Sequence, residues 1–511
     1  MLTRSQLFPR TLGWLGFFAL LVLAILYTRF DPFALIAGSQ DLALFASRVF
    51  PPDFSEIDQI ISLSLESLGI AVLGTFIGLL LSLPTAALAA KTTSSPSLVR
   101  LLARGLIVST RAIPGLVFAI IFVQVVGLGP TAGILALGMN SIGMMGKLFA
   151  DAIDTLDQAP VRALTSSGAS RLQVLFAAVL PQFFPALVAT TLHRLDINFR
   201  YSAILGLVGA GGIGLYLQYN IVYFEYPDAL AAVVLIVLAV LALEAISMLI
   251  RKYLMRPKPS NRFTNPKVSV LILGFGASMI LILNNLEIAW DRVAGLPQAI
   301  GELAVKMVPP DFVTYAPQLA EGSLQSISMA LVATFFGSLL AVPLGFLAAR
   351  NVTGFPVRGL ARGVSQLVRG VPDLILALFL VSALGLGPAT GTLVLTIGTL
   401  GFLTKFVADS VEELDTASYK ALIATGATRL QATVATLLPQ ARPILTAHIF
   451  YALDINFRLS ALMGIVGAGG IGAAIMAAVE VGDFRTALAA LIIVFVCVLG
   501  IESLSRWAMK K

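Results

Sequence analysis

Asp196, Asn198 and Arg200 sit at alternate positions in 195-LDINFR-200, and the same residues return in 453-LDINFR-458. An arginine fork and an amide can replace part of the hydration shell of a small anion. An aspartate four residues before an arginine on a helix can instead pair with it, leaving the asparagine free of that bridge. Two further patterns look like nucleotide chemistry. Gly209, Gly211 and Gly214 satisfy G-x-G-x-x-G, and Gly146-Lys147 has the ending of a phosphate loop. Neither has its context: no strand or βαβ unit surrounds the glycines, Leu148 stands where Ser or Thr is required, and Ser141 takes the place of the first Gly. In an apolar helical setting the glycines permit close helix contact or an interrupted helix beside a pathway.

The remaining reactive residues exclude more than they offer. Cys497 is the single cysteine, so an internal disulfide and a cysteine metal cluster are both impossible. His193 and His448 occupy non-equivalent positions and read as polar helix residues. No nucleophile has a nearby base, and no His, Cys and acid cluster has ligand spacing. The expectation is therefore no catalytic residue, no metal and no cofactor on this chain. Lys147 and Lys405 each precede an aspartate, Asp151 or Asp409, by four residues near a span end, where snorkelling and pairing satisfy them. Arg111 and Arg369 lie just before Pro114 and Pro372, placed either to meet an anion or to satisfy carbonyls freed by the proline.

The elements that must position these residues are membrane helices. Of 511 residues 58% are hydrophobic and only 12% charged, with a mean hydropathy of +0.93, which a soluble surface does not tolerate. Runs such as 230-LAAVVLIVLAVLALEAISMLI-250 reach the roughly 20 residues a helix needs to cross the hydrocarbon core. Long uninterrupted runs favour helices over a barrel. The segment 12-LGWLGFFALLVLAILYTRF-30 is longer than a signal-peptide core and reads as an uncleaved first helix.

The second half of the chain repeats the first. At an offset of 258, 127-GLGP-130 falls on 385-GLGP-388, 180-LPQ-182 on 438-LPQ-440, 208-VGAGGIG-214 on 466-VGAGGIG-472, and 51-PPDF-54 on 309-PPDF-312. Each copy reads as about six spans, in the first near 12–30, 62–90, 106–126, 131–150, 173–194 and 229–250. An even number returns the chain to its starting side, so the copies run parallel. Lys91, Arg100 and Arg104, with the basic residues from Arg251 to Lys267, mark the cytoplasmic loops and put both termini in the cytoplasm. The division is 1–254, a polar cytoplasmic linker 255–267, and 268–511. The formal charge of +7 is loop charge; no polar domain exists to bind nucleic acid.

Between spans four and five lies 157-DQAPVRALTSSGASRLQVLFAAVLPQ-182, matched by 415-DTASYKALIATGATRLQATVATLLPQ-440. Its first part is amphiphilic, and Gly168 can break the helix so that a short piece lies along the membrane surface as a docking element. Ala163, Gly168, Leu180 and Pro181, and again Ala421, Gly426, Leu438 and Pro439, have the spacing of the coupling motif of ABC importer permeases, which this segment resembles. Arg162 and Lys420 stand where that motif usually opens with an acid. Through 111-RAIPGLVFAIIF-122, 127-GLGPTAG-133, 146-GKLFADAID-154 and 195-LDINFRYSAILGLVGAGGIG-214 the chain most resembles the phosphonate ABC transporter permeases. Phosphite and hypophosphite permeases are similar to the same pattern.

The resemblance implies an all-α polytopic membrane protein with the type I ABC importer permease fold. It implies two cytoplasmic ABC ATPase subunits that bind ATP and Mg, and a periplasmic or lipid-anchored substrate-binding protein in a bacterial inner membrane. The ATPase-coupling residues are then Arg162, Ala163, Gly168, Ala169 and Arg171, with Lys420, Ala421, Gly426, Ala427 and Arg429. The substrate pathway is expected at Asn198, Arg200, Asn456 and Arg458, beside Gly209, Gly211, Gly467 and Gly469. An ion-coupled secondary transporter with two six-helix halves is the alternative, but it has no use for a duplicated docking loop. A membrane enzyme lacks the residues named above.

Overall fold

The computed structural model describes residues 4–31, 39–92, 96–255 and 266–509. Most of the expected linker, 256–265, lies outside the described residues. All regular structure among the described residues is helical. Eight helices among the described residues are long and apolar enough to cross a membrane, four in each copy: Ile57–Ala89, Pro130–Asp154, Leu172–Val208 and Tyr226–Lys252, then Ala316–Ala348, Pro388–Glu413, Arg429–Val466 and Phe484–Arg506. Each copy also opens with an apolar helix, Arg4–Thr28 or Pro266–Asn285. With one bent pair per copy, six elements follow in the expected order.

The third span, expected near 106–126, is a bent pair. Helices Ser97–Ala112 and Gly115–Val126 meet at 94°, and Phe355–Gly370 and Asp373–Leu384 at 84°. Ile113 and Val371 are extended, as the residue before a proline prefers, and Pro114 and Pro372 have no N–H to continue the ladder. The fifth span is longer than 173–194. Its helix runs to Leu205 through a π turn at Leu175–Val179, where Leu180 N–H bonds back to the Leu175 carbonyl just before Pro181. The second copy has the same turn at Thr433–Leu437 before Pro439. Asp196, Asn198 and Arg200 are thus inside the helix, not beyond its end.

The repeated Pro-Pro-Asp-Phe has a structural use. Asp53 N–H bonds to the Pro227 carbonyl and Asp311 N–H to the Arg485 carbonyl, fastening the loop before each long helix to the start of the last span. The aspartate side chains accept Ser55 N–H and Val313 N–H, both at 2.8 Å, which closes the turn.

The compact units do not coincide with the sequence copies. One consists of residues 1–48 with 306–511, the other of 49–305. In the first, Leu21, Ala24 and Phe30 bury against Val332 and Leu393, and the rings of Phe30 and Phe336 are 5.4 Å apart. In the second, Leu286 lies on Gly69, Ala289 N–H bonds to Thr131 Oγ1 at 3.0 Å, and Arg292 donates to the Val126 carbonyl at 2.6 Å. Val126 ends its helix, so Arg292 places a cation on an orphan carbonyl at the negative end of the dipole. The opening stretch of each copy therefore packs with the core of the other. Lipid is as apolar as these side chains, so close packing, not water exclusion, holds the helices there.

Candidate functional site

The expected surface helices are Gln158–Ser166 and Ala417–Ala424. Each begins at an aspartate whose side chain accepts the N–H two residues on, Asp157 from Ala159 and Asp415 from Ala417, both at 2.9 Å. Each ends in the same turn. Gly168 is left-handed at φ +80°, its N–H bonds to Thr165 O, and Ala169 N–H reaches back to Leu164 O. Gly426 at φ +92° and Ala427 repeat this against Ile423 and Leu422. That pair of bonds is the Schellman stop, and glycine is the residue that takes the left-handed position without strain. Ser170 and Thr428 then start the next helix, each in reciprocal bonding with the glutamine three residues on, Gln173 or Gln431.

The repeated Gly-Ala-(Ser/Thr)-Arg-Leu-Gln is thus in large part a stop and a start. What the turn does not use is left facing out. Arg162 and Ala163 are exposed, as are Lys420, Ala421 and Arg429; the side chain of Arg171 lies outside the described residues. Leu172 and Leu430, 67% and 74% exposed, also serve no bond of the turn. Sequence reasoning passed over these leucines, although both copies carry them. Beside the second helix an open cleft of roughly 340 Å³ is lined by Arg350, Lys420, Arg429, Tyr419 and Ile423. Glu412 pairs with Arg350 at 3.2 Å and Arg362 at 2.6 Å, so Lys420 and Arg429 give the cleft its positive charge.

Gln182 ties the first surface helix to the long helix behind it. Its Oε1 accepts Asp157 N–H at 3.1 Å, while Nε2 donates to the Asp157 carbonyl at 3.3 Å and the Ala178 carbonyl at 2.9 Å. Ala178 belongs to the π turn, whose geometry leaves its carbonyl available.

The expected pathway residues separate into two kinds. Asn198 is fully buried, and its amide donates to Thr75 Oγ1 at 2.9 Å and Ser141 Oγ at 3.1 Å, joining three helices of the 49–305 unit. Asn456 does the same with Thr334 at 2.9 Å and Thr399 at 2.8 Å. These asparagines are ties in the helix packing. Arg200 and Arg458 pair with Asp196 and Asp454 four residues before them, at 3.0 and 2.6 Å, and all four side chains remain partly exposed. Lys147 likewise pairs with Asp151 at 3.0 Å.

The glycine segments are interrupted helices. Helix Leu180–Leu205 passes through a single 3-10 turn to Gly209, Gly211 and Gly212, all at positive φ, before helix Ile213–Val222 begins. Gly209 O accepts Gly129 N–H at 2.8 Å, and Gly467 O accepts Gly387 N–H at 3.0 Å. The N–H groups opening the next helix are capped from a distance: Gly212 and Ile213 by Glu66 and Ser67, Gly470 and Ile471 by Gln325 and Ser326, at 2.9–3.0 Å. Gly211 and Gly469 lie against Pro130 and Pro388. The loop is a fixed backbone joint in each copy.

Comparison with known proteins agrees with this duplicated architecture. The family model of binding-protein-dependent transport system inner membrane components matches residues 60–257 and again 341–511. The phosphate-import permease protein PhnE of Mycolicibacterium smegmatis is 40% identical over 486 residues, covering 94% of this chain and 90% of that protein. The phosphite transport system permease protein PtxC of Stutzerimonas stutzeri is 40% identical over 238 residues, 46% of this chain and 86% of the relative. A putative phosphite transport system permease protein of the same organism, HtxC, is 34% identical over 230 residues, 45% of this chain and 82% of the relative.

Proposed function

The chain belongs to the family of binding-protein-dependent transport system inner membrane components, and from that premise we propose that it imports phosphonate-like oxyanions: phosphonate, phosphite or phosphate. It is the multi-span permease of an ABC importer, and it is not an enzyme. The substrate class rests on one observation above the rest, the 40% identity with a phosphate-import permease along nearly the whole of both chains.

Two cytoplasmic ATPase subunits, carrying ATP and Mg, dock on the two short helices. The first helix offers Arg162, Ala163, Gly168, Ala169 and Arg171, the second Lys420, Ala421, Gly426, Ala427 and Arg429. Leu172 and Leu430 add an apolar contact at each. A basic side chain at Arg162 and Lys420 calls for an acidic partner on the ATPase. Closure of the ATPases on ATP shifts these helices, and the Gln182 tie passes the shift to helix Leu180–Leu205. A periplasmic or lipid-anchored binding protein delivers the anion at the opposite face, with both termini of this chain in the cytoplasm. The residues 1–254 and 268–511 act as the two permease halves. Arg200 and Arg458, with the joints at Gly209, Gly211, Gly467 and Gly469, border the outer part of the route. A contact made by a paired arginine is weak, as transport requires.

The test is reconstitution of the chain with its ATPase and binding protein in lipid, with ATPase stimulation and uptake ranked for methylphosphonate, phosphite and phosphate. Stimulation by at least one of the three is expected. Response to none of them, with amino acids or an ion gradient driving transport instead, sinks the proposal.

A further inference from the structure

Arg194 is 4% exposed inside the 49–305 unit. Its Nε donates to Ser141 Oγ at 2.8 Å and its Nη1 to Met144 Sδ at 3.5 Å. Its Nη2 is buried and has no hydrogen-bond partner. Among the described residues no carboxylate pairs with it. The span runs over Leu172–Val208, and at 1.5 Å per residue Arg194 lies only about 6 Å past its midpoint.

An arginine buried within a spanning helix is costly to insert, and leaving its charge unpaired in protein adds to that. Packing does not demand it. The second copy builds the same tie from Asn456, Thr334 and Thr399 with Ala452, fully buried, at the position that corresponds to Arg194. The guanidinium is an addition to a joint that closes without it.

We propose that Arg194 is the charged contact of a substrate site in the first copy, its Nη2 edge receiving a compact oxyanion. Ser141 holds the Nε edge and sets the plane of the fork; its own hydroxyl proton is given to the Leu137 carbonyl, so its oxygen is free to accept. Met144 covers Nη1 with a flexible, polarisable thioether that can swing aside. The helix bearing Arg194 can shift as well, because the π turn at Leu175–Val179 and Pro185 both interrupt its ladder. One guanidinium facing a divalent oxyanion binds weakly enough to let it go. The two copies are then unequal: the first supplies charge where the second supplies a methyl group. This inference rests on the oxyanion-import reading.

The reconstituted complex tests it through Arg194→Ala, which installs the second copy's residue, and Arg194→Lys, with uptake of phosphite, methylphosphonate and phosphate and thermal unfolding measured in parallel. Arg194→Ala is expected to lower uptake at least tenfold while its unfolding temperature stays level or rises, since a buried unpaired charge has been removed. Arg194→Lys should recover part of the uptake. Uptake within twofold of wild type in Arg194→Ala overturns the proposal. A lowered unfolding temperature, with uptake lost only in proportion to folded protein, also overturns it and makes Arg194 scaffold. A wild type that takes up none of the three anions sinks the oxyanion reading with it; a transporting wild type and an unaffected Arg194→Ala sink this inference alone.

Discussion

Gln182 and Asp157 are bonded in both directions, side-chain oxygen to backbone N–H at 3.1 Å and side-chain amide to backbone carbonyl at 3.3 Å. The bond pair spans 25 residues of sequence and fixes the start of a surface helix to the first turn of a spanning one. A displacement of the surface helix cannot be absorbed in the loop between them without breaking it.

Gln182→Leu should therefore uncouple the machine without dismantling it. The two exposed hydrogen bonds to Asp157 and the one to the Ala178 carbonyl are worth about 1 kcal/mol each, together too little to unfold a protein of this size. The expected result is a complex that still assembles and hydrolyses ATP, with oxyanions taken up per ATP reduced several-fold. Unchanged stoichiometry of transport to hydrolysis would show that force travels by another route.

Gly168 and Gly426 separate conformation from crowding, because a Cβ at either position meets nothing within 4 Å. Within this chain the cost of substitution is therefore that of the left-handed backbone, roughly 1–2 kcal/mol for a β-branched residue and less for asparagine. Gly168→Val should impair ATPase association in a pull-down, and Gly168→Asn should largely restore it. Equal binding by all three proteins would detach the turn from docking.

Asn198→Leu and Asn456→Leu each remove an amide from two hydroxyls. Thr75, Ser141 and Thr399 keep their bonds to the Ala71, Leu137 and Leu395 carbonyls, so these three hydroxyl protons remain satisfied and the penalty is moderate, about 1–3 kcal/mol. Thermal unfolding should shift down by several degrees, with uptake per folded complex near wild type. Uptake that falls much further than folded protein would return the asparagines to the pathway.

One chain should engage two ATPase subunits, since it carries the short exposed helix twice. Native mass measurement of the purified complex is expected to find a single permease chain per ATPase pair. Two permease chains per pair would contradict it.

The repeat and the order of its helices could be read from sequence because an offset of 258 carries polar motifs as well as apolar runs, and apolar length is what a bilayer demands. The surface helices were legible for a related reason: Gly168 and Pro181 interrupt apolar periodicity on either side. What escaped has a physical cause in each case. A hydropathy window averages across Pro114 and cannot register a 94° bend. The charges of Asp196 and Arg200 looked like the end of a span, yet they pair with each other and stay within the helix. Arg194 was passed over because comparison of two copies keeps only what recurs, and Ala452 erased it. Nor does an apolar face declare which apolar neighbour it will choose, so nothing in the sequence told that residues 1–48 pack with 306–511.

That exchange of opening helices sets an order of birth. Ribosomes deliver roughly 5–20 residues per second, so helix Arg4–Thr28 enters the bilayer on the order of tens of seconds before Val332 and Leu393 exist to receive it. It waits among lipid tails, which are as apolar as its leucines. The 49–305 unit can close as soon as Arg292 has emerged to cap Val126. The other unit must hold helix Arg4–Thr28 in reserve until Val332 and Leu393 have followed, so that helix takes its place only after the whole 49–305 unit has been made.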